Sequence, residues 1–356
     1  MPHNILLTGA SGYLGGSLLN SWQEPNFPNR GNIYALVRNE AQGEKVTQYG
    51  AKPLSLSLED DQAVIDAIVK HEISVVYFLV GAYYFHSQKS ILKALEMAHK
   101  ATEKITHFLY TTGTKQFADV AGCPTDRPIY DTDPDLYDIQ KRQESSNEEL
   151  STAVKTNCAV VDEGEKRGVR VYLFSPCIVY GKGTGFGNRI SIQTVDIVMA
   201  FKACGHAYNV ANDQAIWPVC HISDTVSLYS HILTKILNEE DPPHGRNGYY
   251  LASTGPIAWE KVYAAIASAL FAKGLIADEK LRPIDQRAID RMVTALGVDN
   301  KSSALSKISG NCTYTPRRGE KTGWKPSFGP AHILESMDEE VEHILENLND
   351  NVKGIR

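Results

Sequence analysis

The sequence predicts an α/β fold, in which a doubly wound parallel sheet is joined by a smaller, mostly helical lobe. Three observations lead to this prediction. Short apolar runs alternate with helical stretches over the first half of the chain, the order that builds a parallel sheet with helices on both faces. The first apolar run opens directly into three glycines spaced three residues apart. After residue 188 the alternation gives way to a largely helical pattern.

The length of the chain bounds its organisation. Its 356 residues exceed the ~250–300 at which single cores stop growing. We therefore expect a sheet domain over residues 1–182, with a returning segment near 211–240, and an interleaved second lobe over 183–356. The composition, 42% hydrophobic and 22% charged, suits a globular protein. The net charge of −6 predicts no nucleic-acid partner, since phosphate binding needs clustered cations.

The predicted elements follow from hydrophobic periodicity. Near-continuous apolar runs, which a sheet buried on both faces requires, predict strands over residues 4–8, 33–37, 74–80, 105–111 and 169–174. Helical spacing predicts helices over residues 87–104, 152–167, 191–202, 224–237, 259–273 and 331–347. Residues 122–135 and 181–188 are predicted loops because they are rich in Pro and Asp, or in Gly.

The six cysteines and the absence of long apolar runs predict the compartment. No C-x-x-C pair or His/Cys spacing is present, so we expect no metal site and free thiols in a reducing environment. No apolar run reaches the ~20 residues of a membrane span, and no signal peptide precedes the first strand. The expectation is a cytoplasmic protein with no membrane partner.

The glycine turn at residues 8–15, TGASGYLG, carries the clearest functional signal. A strand that turns tightly into a helix presents free backbone amides and the positive end of the helix dipole to an anion. Gly9 would permit the turn, Gly12 the approach of a pyrophosphate, and Gly15 the packing of helix on strand. The segment therefore predicts a dinucleotide site on a Rossmann-type sheet.

Four segments in the same order resemble motifs of the extended short-chain dehydrogenases/reductases, which include the nucleotide-sugar epimerases and dehydratases. Residues 8–15 resemble T-G-x-x-G-x-x-G, and residues 175–183, SPCIVYGKG, resemble R-P-x-x-V-Y-G-x-G. Residues 219–224, VCHISD, resemble F-V-H-V-x-D, and residues 322–326, TGWKP, resemble L-G-W-x-P. The resemblance implies the Rossmann-type fold, a nicotinamide cofactor and a C-terminal lobe that binds substrate.

The residue after the second strand bears on the choice of cofactor. Nicotinamide dinucleotide enzymes place a carboxylate there for NAD and a cation for the 2′-phosphate of NADP. Arg38 follows this strand, and its planar fork suits phosphate, so we expect NADP(H), with NAD(H) as the alternative. Ser57 stands where relatives often place an adenine-side aspartate. The predicted cofactor contacts are Thr8, Gly9, Ser11, Gly12, Tyr13, Leu14, Gly15, Arg38, Val80, Gly81, Thr111 and Pro176.

The resemblance also implies a Tyr that donates a proton, a Lys that lowers its pKa, and a Ser or Thr that orients the carbonyl. Thr112, at the end of the fifth strand, is the predicted hydroxyl, with Thr111 as second choice. Tyr137 and Lys141 form a Y-x-x-x-K pair on one helix face. The helix before the sixth strand, which should carry the pair, has no Tyr in the expected window. Accepting the pair requires an insertion of about ten residues or more, and Lys155 remains as a displaced cation.

Further side chains predict the substrate site. Tyr83, Tyr84 and His86 follow the fourth strand, and Asn188 and Arg189 follow the glycine loop. The sequence predicts an NADP(H)-dependent oxidoreductase acting on a carbonyl or alcohol of a small, aromatic molecule. An epimerase, dehydratase, isomerase or lyase on the same fold is one alternative, and a dinucleotide-binding sensor without catalysis is another. A homodimer is left open.

Overall fold

The computed structural model describes residues 2–23 and 30–348. Its strands are β1 His3–Leu7, β2 Arg30–Leu36, β3 Lys52–Leu54, β4 Ile73–Phe78, β5 His107–Thr111, β6 Ile129–Tyr130, β7 Arg170–Pro176, β8 Ile178–Tyr180, β9 Ala207–Asn209, β10 Ile216–His221, β11 Tyr249–Ala252, β12 Gly255–Ala258, β13 Leu281–Pro283 and β14 Tyr314–Thr315.

The helices are α1 Tyr13–Ser21, α2 Glu40–Gln48, α3 Asp61–Lys70, α4 Ser87–Thr102, α5 Leu136–Arg142, α6 Glu148–Arg167, α7 Gln193–Cys204, α8 Ile222–Leu237, α9 Trp259–Ala272, α10 Gln286–Leu296, α11 Lys301–Ile308, α12 Arg318–Lys321, α13 His332–Glu335 and α14 Met337–Asn347. Within residues 2–23 and 30–348, 3₁₀ helices span Thr114–Phe117, Asp119–Ala121 and Gly245–Asn247.

The large sheet has seven strands in the order β11-β7-β5-β4-β1-β2-β3, and every neighbouring pair is parallel. At its centre Leu7 lies opposite Ala35 on β2 and Tyr77 on β4. The strand order reverses beside β1, and open sheets bind ligands at the carboxyl edge next to such a point. The predicted Rossmann-type α/β fold is confirmed, and the glycine turn lies at that edge.

The chain returns to this sheet after its first excursion into the second lobe. Helix α8 packs against α1, and β11 then pairs with β7, so the returning segment continues past residue 240. A smaller sheet of β12, β10 and β8 lies beside it. Residues 277–309, for which the sequence predicts no element above, contain β13, α10 and α11.

Burial explains why these runs form the sheet. Every residue of β4 is buried, and so are residues 171–175 of β7, as expected of strands covered on both faces. All six cysteines lie in the described part of the chain and are free and buried. Within the described residues, no helix combines the length and the apolarity that crossing a bilayer would demand.

Candidate functional site

The glycine turn has the steric requirements that the sequence predicts. Gly9 has φ +71°, a conformation that a residue with a Cβ rarely adopts. A Cβ on Gly15 would lie 2.2 Å from the carbonyl oxygen of Gly9, so only glycine lets α1 pack on the turn. A Cβ on Gly12 would have the Gly9 oxygen, at 3.1 Å, as its nearest contact. The outer side of Gly12 is therefore open to a ligand.

The start of α1 offers donors to an anion. Its N-cap residue is Gly12, which supplies no capping side chain. Within the described residues, the amides of Tyr13 and Leu14 make no backbone bond outside the helix, and amides in a first turn have no acceptor inside it. Uncapped amides on a glycine turn fit a pyrophosphate. The side chain of Thr8, a predicted cofactor contact, is hydrogen-bonded within the sheet. Its hydroxyl oxygen accepts from the Leu79 amide at 2.9 Å and links the end of β1 to the end of β4.

The end of β2 places Arg38 beside this turn. Asn39 caps α2 by accepting from the amide of Gln42, whose side-chain oxygen accepts from the amide of Arg38 at 2.9 Å. The side-chain Nε2 of Gln42 donates to the Ser11 hydroxyl at 3.4 Å. Arg38 is exposed, and no ion pair engages its guanidinium within the described residues. The Arg38 guanidinium is therefore free to bind an anion at the carboxyl edge of the sheet. Gln42 links the backbone of Arg38 to Ser11 of the glycine turn.

The loop after β4 separates the predicted substrate residues. The His86 ring lies 3.7 Å from Glu59 and 3.6 Å from Asp61, on the β3 side of the sheet. Tyr83 is half-buried, and its carbonyl accepts from Thr156 on α6 at 2.9 Å. Tyr84 is 73% exposed. Val80 and Gly81 precede this loop, and Gly81 is exposed with φ +62°.

Thr112 lies at the carboxyl end of β5, where its hydroxyl bonds to Asn157 on α6 at 2.7 Å. The preceding Thr111 hydroxyl contacts the Tyr229 hydroxyl at 3.1 Å instead. The carbonyl of Pro176, at the end of β7, accepts from Thr114 at 2.8 Å. Thr112 is thus fixed beside the middle of α6. The 3₁₀ helix Thr114–Phe117 follows β5 and is bonded through Thr114 to the end of β7.

Tyr137 and Lys141 lie together on α5, whose Gln140 accepts from Asn157 at 3.4 Å, but both side chains bond to Asp162 and neither bonds to Thr112. The Tyr137 hydroxyl donates to one oxygen of Asp162 at 2.5 Å, and Lys141 donates to the other at 2.9 Å. The Arg246 guanidinium covers the Tyr137 ring at 4.4 Å. Burial and the bond to Asp162 raise the pKa of Tyr137, and the opposing bond from Lys141, at 3.2 Å, does not offset them. This phenol holds its proton more firmly than a free tyrosine, contrary to what a lysine-activated donor requires.

The direction of α6 explains the separation. This helix leads into β7, so its C-terminal end lies at the amino edge of the sheet. Asp162 is five residues beyond Asn157 in that direction, a rise of about 7.5 Å along the helix. Arg246, in the 3₁₀ helix that precedes β11, also belongs to the amino edge. The Tyr137 hydroxyl, bonded to Asp162, therefore lies about 7.5 Å further toward the amino edge than the Asn157–Thr112 bond.

Helix α6 itself carries neither member of the pair at the carboxyl edge. Its sequence contains no Tyr. Glu149, Ala153 and Asn157 follow one another at four-residue spacing, which places them on one face, and Asn157 bonds to Thr112. Lys155, the alternative cation, is exposed and lies two residues from Asn157, on a different face. Position 153, between Glu149 and Asn157, holds a small apolar side chain.

Lys115 is a candidate that sequence reasoning missed. It lies on the 3₁₀ helix Thr114–Phe117, three residues after Thr112. Burial lowers the pKa of Lys115 to about 8, with Asp196 raising it, Lys307 lowering it and Glu149 raising it. Within the described residues no carboxylate lies within 4 Å of its ammonium group. The available signal was a lone lysine directly after an apolar strand.

The glycine loop lies against the glycine turn. The amide of Asn188 donates to the carbonyl of Ser11 at 2.9 Å. A Cβ on Gly187 would lie 2.1 Å from the same oxygen. The Arg189 side chain folds back onto the carbonyl of Gly185 at 3.0 Å. The backbone of Asn188 therefore contacts the glycine turn directly. Among the described residues, histidines, cysteines and carboxylates form no group able to hold a metal ion.

Comparison with protein families and curated proteins agrees with this geometry. The model of the NAD dependent epimerase/dehydratase family matches residues 5–244. The oxidase ucsJ of Acremonium sp is 24% identical over 308 residues, which cover 80% of this chain and 84% of that protein.

Solved structures share the fold at low sequence identity. The UDP-glucose 4-epimerase of Thermus thermophilus in complex with NAD has a TM-score of 0.59 and 13% identity, covering 96% of this chain and 99% of that one. Vestitone reductase from alfalfa has a TM-score of 0.59 and 14% identity, covering 96% and 98%.

Proposed function

Because this chain belongs to the NAD dependent epimerase/dehydratase family, we propose that it is an NADP(H)-dependent oxidoreductase acting on a carbonyl or alcohol of a small molecule. The family match and the NAD-bound neighbour support an enzyme that uses a nicotinamide dinucleotide. The preference for NADP(H), the direction of redox chemistry and the acid–base residue are our own proposals. A single observation carries the chemistry: Lys115, with its pKa lowered to about 8, follows Thr112 by three residues.

The residues at the carboxyl edge fit the cofactor. The amides of Tyr13 and Leu14 would hold the pyrophosphate, with Gly12 allowing its approach. The free guanidinium of Arg38 would bind the 2′-phosphate of NADP(H) through two parallel hydrogen bonds. When bound, the nicotinamide supplies or accepts a hydride.

Lys115 is our proposed proton donor and acceptor, in place of Tyr137. An amine with a pKa of about 8 exists in both forms near neutral pH, and catalytic efficiency is greatest when the pKa lies near the working pH. In reduction its ammonium form would give a proton to the substrate oxygen, and in oxidation its amine would take one. Thr112 would hold the oxygen beside it, in the role that the family resemblance assigns to this hydroxyl.

The partly buried Tyr83 and the exposed Tyr84 would line the substrate entrance, and they support an aromatic substrate. The backbone amide of Asn188 donates to the Ser11 carbonyl. The His86 ring lies beside the carboxylates of Glu59 and Asp61. We therefore propose that Asn188 and His86 act on the cofactor side of the cleft. The six free, buried cysteines support a reducing compartment such as the cytoplasm.

Two matched variants test the proposal in an assay that follows NADPH absorbance over a panel of aromatic and aliphatic aldehydes and ketones. Lys115→Met keeps the side-chain length without the proton, and we expect it to lower kcat by roughly a hundredfold or more. Tyr137→Phe is the control and should stay within about twofold, since its hydroxyl faces Asp162. Full activity in Lys115→Met, with loss in Tyr137→Phe, would overturn the assignment.

A dinucleotide-binding sensor is the second candidate, because α6 lacks the tyrosine that the family chemistry uses. The same protein separates the two candidates. Tight NADPH binding without turnover of any panel member in either direction favours the sensor. Turnover that depends on Lys115 excludes it.

A further inference from the structure

The glycine-rich segment Gly181–Arg189, hereafter the glycine strap, lies along the glycine turn of residues 8–15 and the start of α1. Because we propose that this turn binds the pyrophosphate, it is called the cofactor turn below. Besides the Asn188 bond to Ser11, the Tyr13 hydroxyl donates to the carbonyl of Gly181 at 2.6 Å. The amide of Thr184 donates to the Ser17 hydroxyl at 3.1 Å. The strap therefore bonds to the turn and to the first two turns of α1.

Glycines make this approach possible. A Cβ on Gly183 would lie 2.8 Å from the Tyr13 ring, and one on Gly185 would lie 2.6 Å from the Cα of Gly16. Real Cβ atoms do not come this close, so the strap and α1 meet backbone against backbone. A loop that only connected two elements would not need glycine at these alternate positions.

Both ends of the strap are held by α14, near the end of the described chain. Glu340 is 4% exposed, and one of its carboxylate oxygens accepts from the amide of Gly181 at 2.7 Å. Its other oxygen accepts from the Thr194 hydroxyl at 2.9 Å, at the start of α7. At the far end, the His343 ring contacts the carbonyl of Arg189 at 3.0 Å.

Behind the strap the packing is open. A groove of about 440 Å³ lies between Lys182 and Thr184 of the strap, Ser17 and Ser21 of α1, and residues 221–234. Lys182 and Thr184 are exposed. Phe186 of the strap packs against Tyr49 at a ring distance of 5.8 Å, and hydrogen bonds to α1 and α14 hold the strap on either side of it.

We propose that Glu340 is a positioning residue for dinucleotide binding: it fixes the glycine strap against the cofactor turn, so that the turn is ordered before the pyrophosphate arrives. The inference rests on the proposed function only in taking the turn to be the pyrophosphate site. Its physical basis is preorganisation, since a turn already held in its binding conformation costs less entropy to bind a ligand. The second lobe, through α14 and α7, then contributes to a site that the first βα unit alone would form loosely.

Three substitutions at α14 test the role. Glu340→Ala removes both acceptors, and we expect NADPH to bind roughly tenfold more weakly, as measured by its fluorescence. Glu340→Gln should restore binding to near the parent value, because its amide can accept from Gly181 and donate to Thr194 without the charge. Glu339→Ala, at an exposed neighbour on the same helix, is the matched control.

Hydrogen exchange of the cofactor-free protein gives a readout that does not depend on turnover. In Glu340→Ala, amides of the strap and of residues 11–17 should exchange faster together, while those of β4 stay protected. Where Glu340→Ala does not fold, Tyr13→Phe, which lacks only the hydroxyl bond to Gly181, should give the same paired change.

Faster exchange in the strap alone, with unchanged NADPH affinity, would overturn the positioning role. Paired exchange changes in a protein that reduces no carbonyl would refute the proposed reaction but leave the positioning role standing.

Discussion

The first βα unit and the α5–α6 region differ in how much of their geometry is local. In the cofactor turn, close contacts within residues 8–15 restrict the backbone locally before the strap holds it: a Cβ at Gly15 would meet the Gly9 oxygen at 2.2 Å. In the α5–α6 region, the position of Tyr137 depends on Asp162 and Arg246, which come from other elements. The conformation of a contiguous turn depends first on its own residues, whereas the position of a side-chain pair depends on the elements that its helix packs against.

The largest expected effect would break the cofactor side of this comparison. Gly12→Val places a branched side chain at the open approach to the amides of Tyr13 and Leu14, so we expect NADPH affinity to fall by more than about a hundredfold. Gly329→Ala is the control, since its Cβ would meet nothing within 4 Å. Calorimetric titration measures both variants. Parent-like affinity in Gly12→Val would remove the turn from the binding site.

Predictability from sequence follows the same division. The parallel sheet and the glycine turn could be predicted because continuous apolar runs and fixed glycine spacing are local signals. The placement of Tyr137 could not, because a Y-x-x-x-K spacing says which side chains share a helix face but not which end of the sheet the helix occupies.

Lys115 shows a different limit of sequence reasoning. Its low pKa arises from burial and from Lys307 on α11, while Asp196 on α7 and Glu149 on α6 oppose the shift. These elements lie far from it along the chain and meet only in the folded protein. No spacing pattern links such positions, so the tertiary structure was needed to single out this lysine.

The second prediction sharpens the cofactor side by testing its cation. Arg38→Asp replaces a free guanidinium at the end of β2 with a carboxylate that repels the 2′-phosphate and can accept from ribose hydroxyls. We expect the ratio of NADPH to NADH affinity to fall by roughly thirtyfold. Arg287→Asp, at an exposed position on α10, should leave the ratio unchanged. An unaltered ratio in Arg38→Asp would assign the choice of cofactor to another residue.

The third prediction concerns pH and the acid–base group. Burial lowers the pKa of Lys115 to about 8, so its proton-donating form is lost as the pH rises through that value. We expect kcat/KM for carbonyl reduction to be level below pH 8 and to fall about tenfold per unit above it. Oxidation of the alcohol should show the opposite slope. Tyr137→Phe should keep the inflection, and a profile that loses it in this variant would return the role to Tyr137.

The smallest expected effect isolates the α5–α6 region. Partial burial alone would raise the pKa of Asp162, but bonds from Tyr137 and Lys141 lower it overall. A lowered folded-state pKa stabilises the protein above the unfolded value, and this contribution is lost as the pH falls through the folded value. Because Asp162 is 39% exposed, solvent screening limits the effect, and Asp162→Asn should cost less than about 1 kcal/mol of unfolding free energy at neutral pH.

Urea unfolding at pH 7 and at progressively lower pH measures this difference, which should shrink as the carboxylate of the parent protein becomes protonated. Asp138→Asn, at an exposed position on α5, is the control for loss of a nearby charge. Asp162→Asn should also leave kcat and NADPH affinity unchanged, because the Tyr137–Asp162–Lys141 cluster holds α5 to α6 away from the glycine turn. A fall in kcat with intact stability would mean that this cluster affects the reaction at the carboxyl edge. The two regions would then differ in position but would both contribute to catalysis.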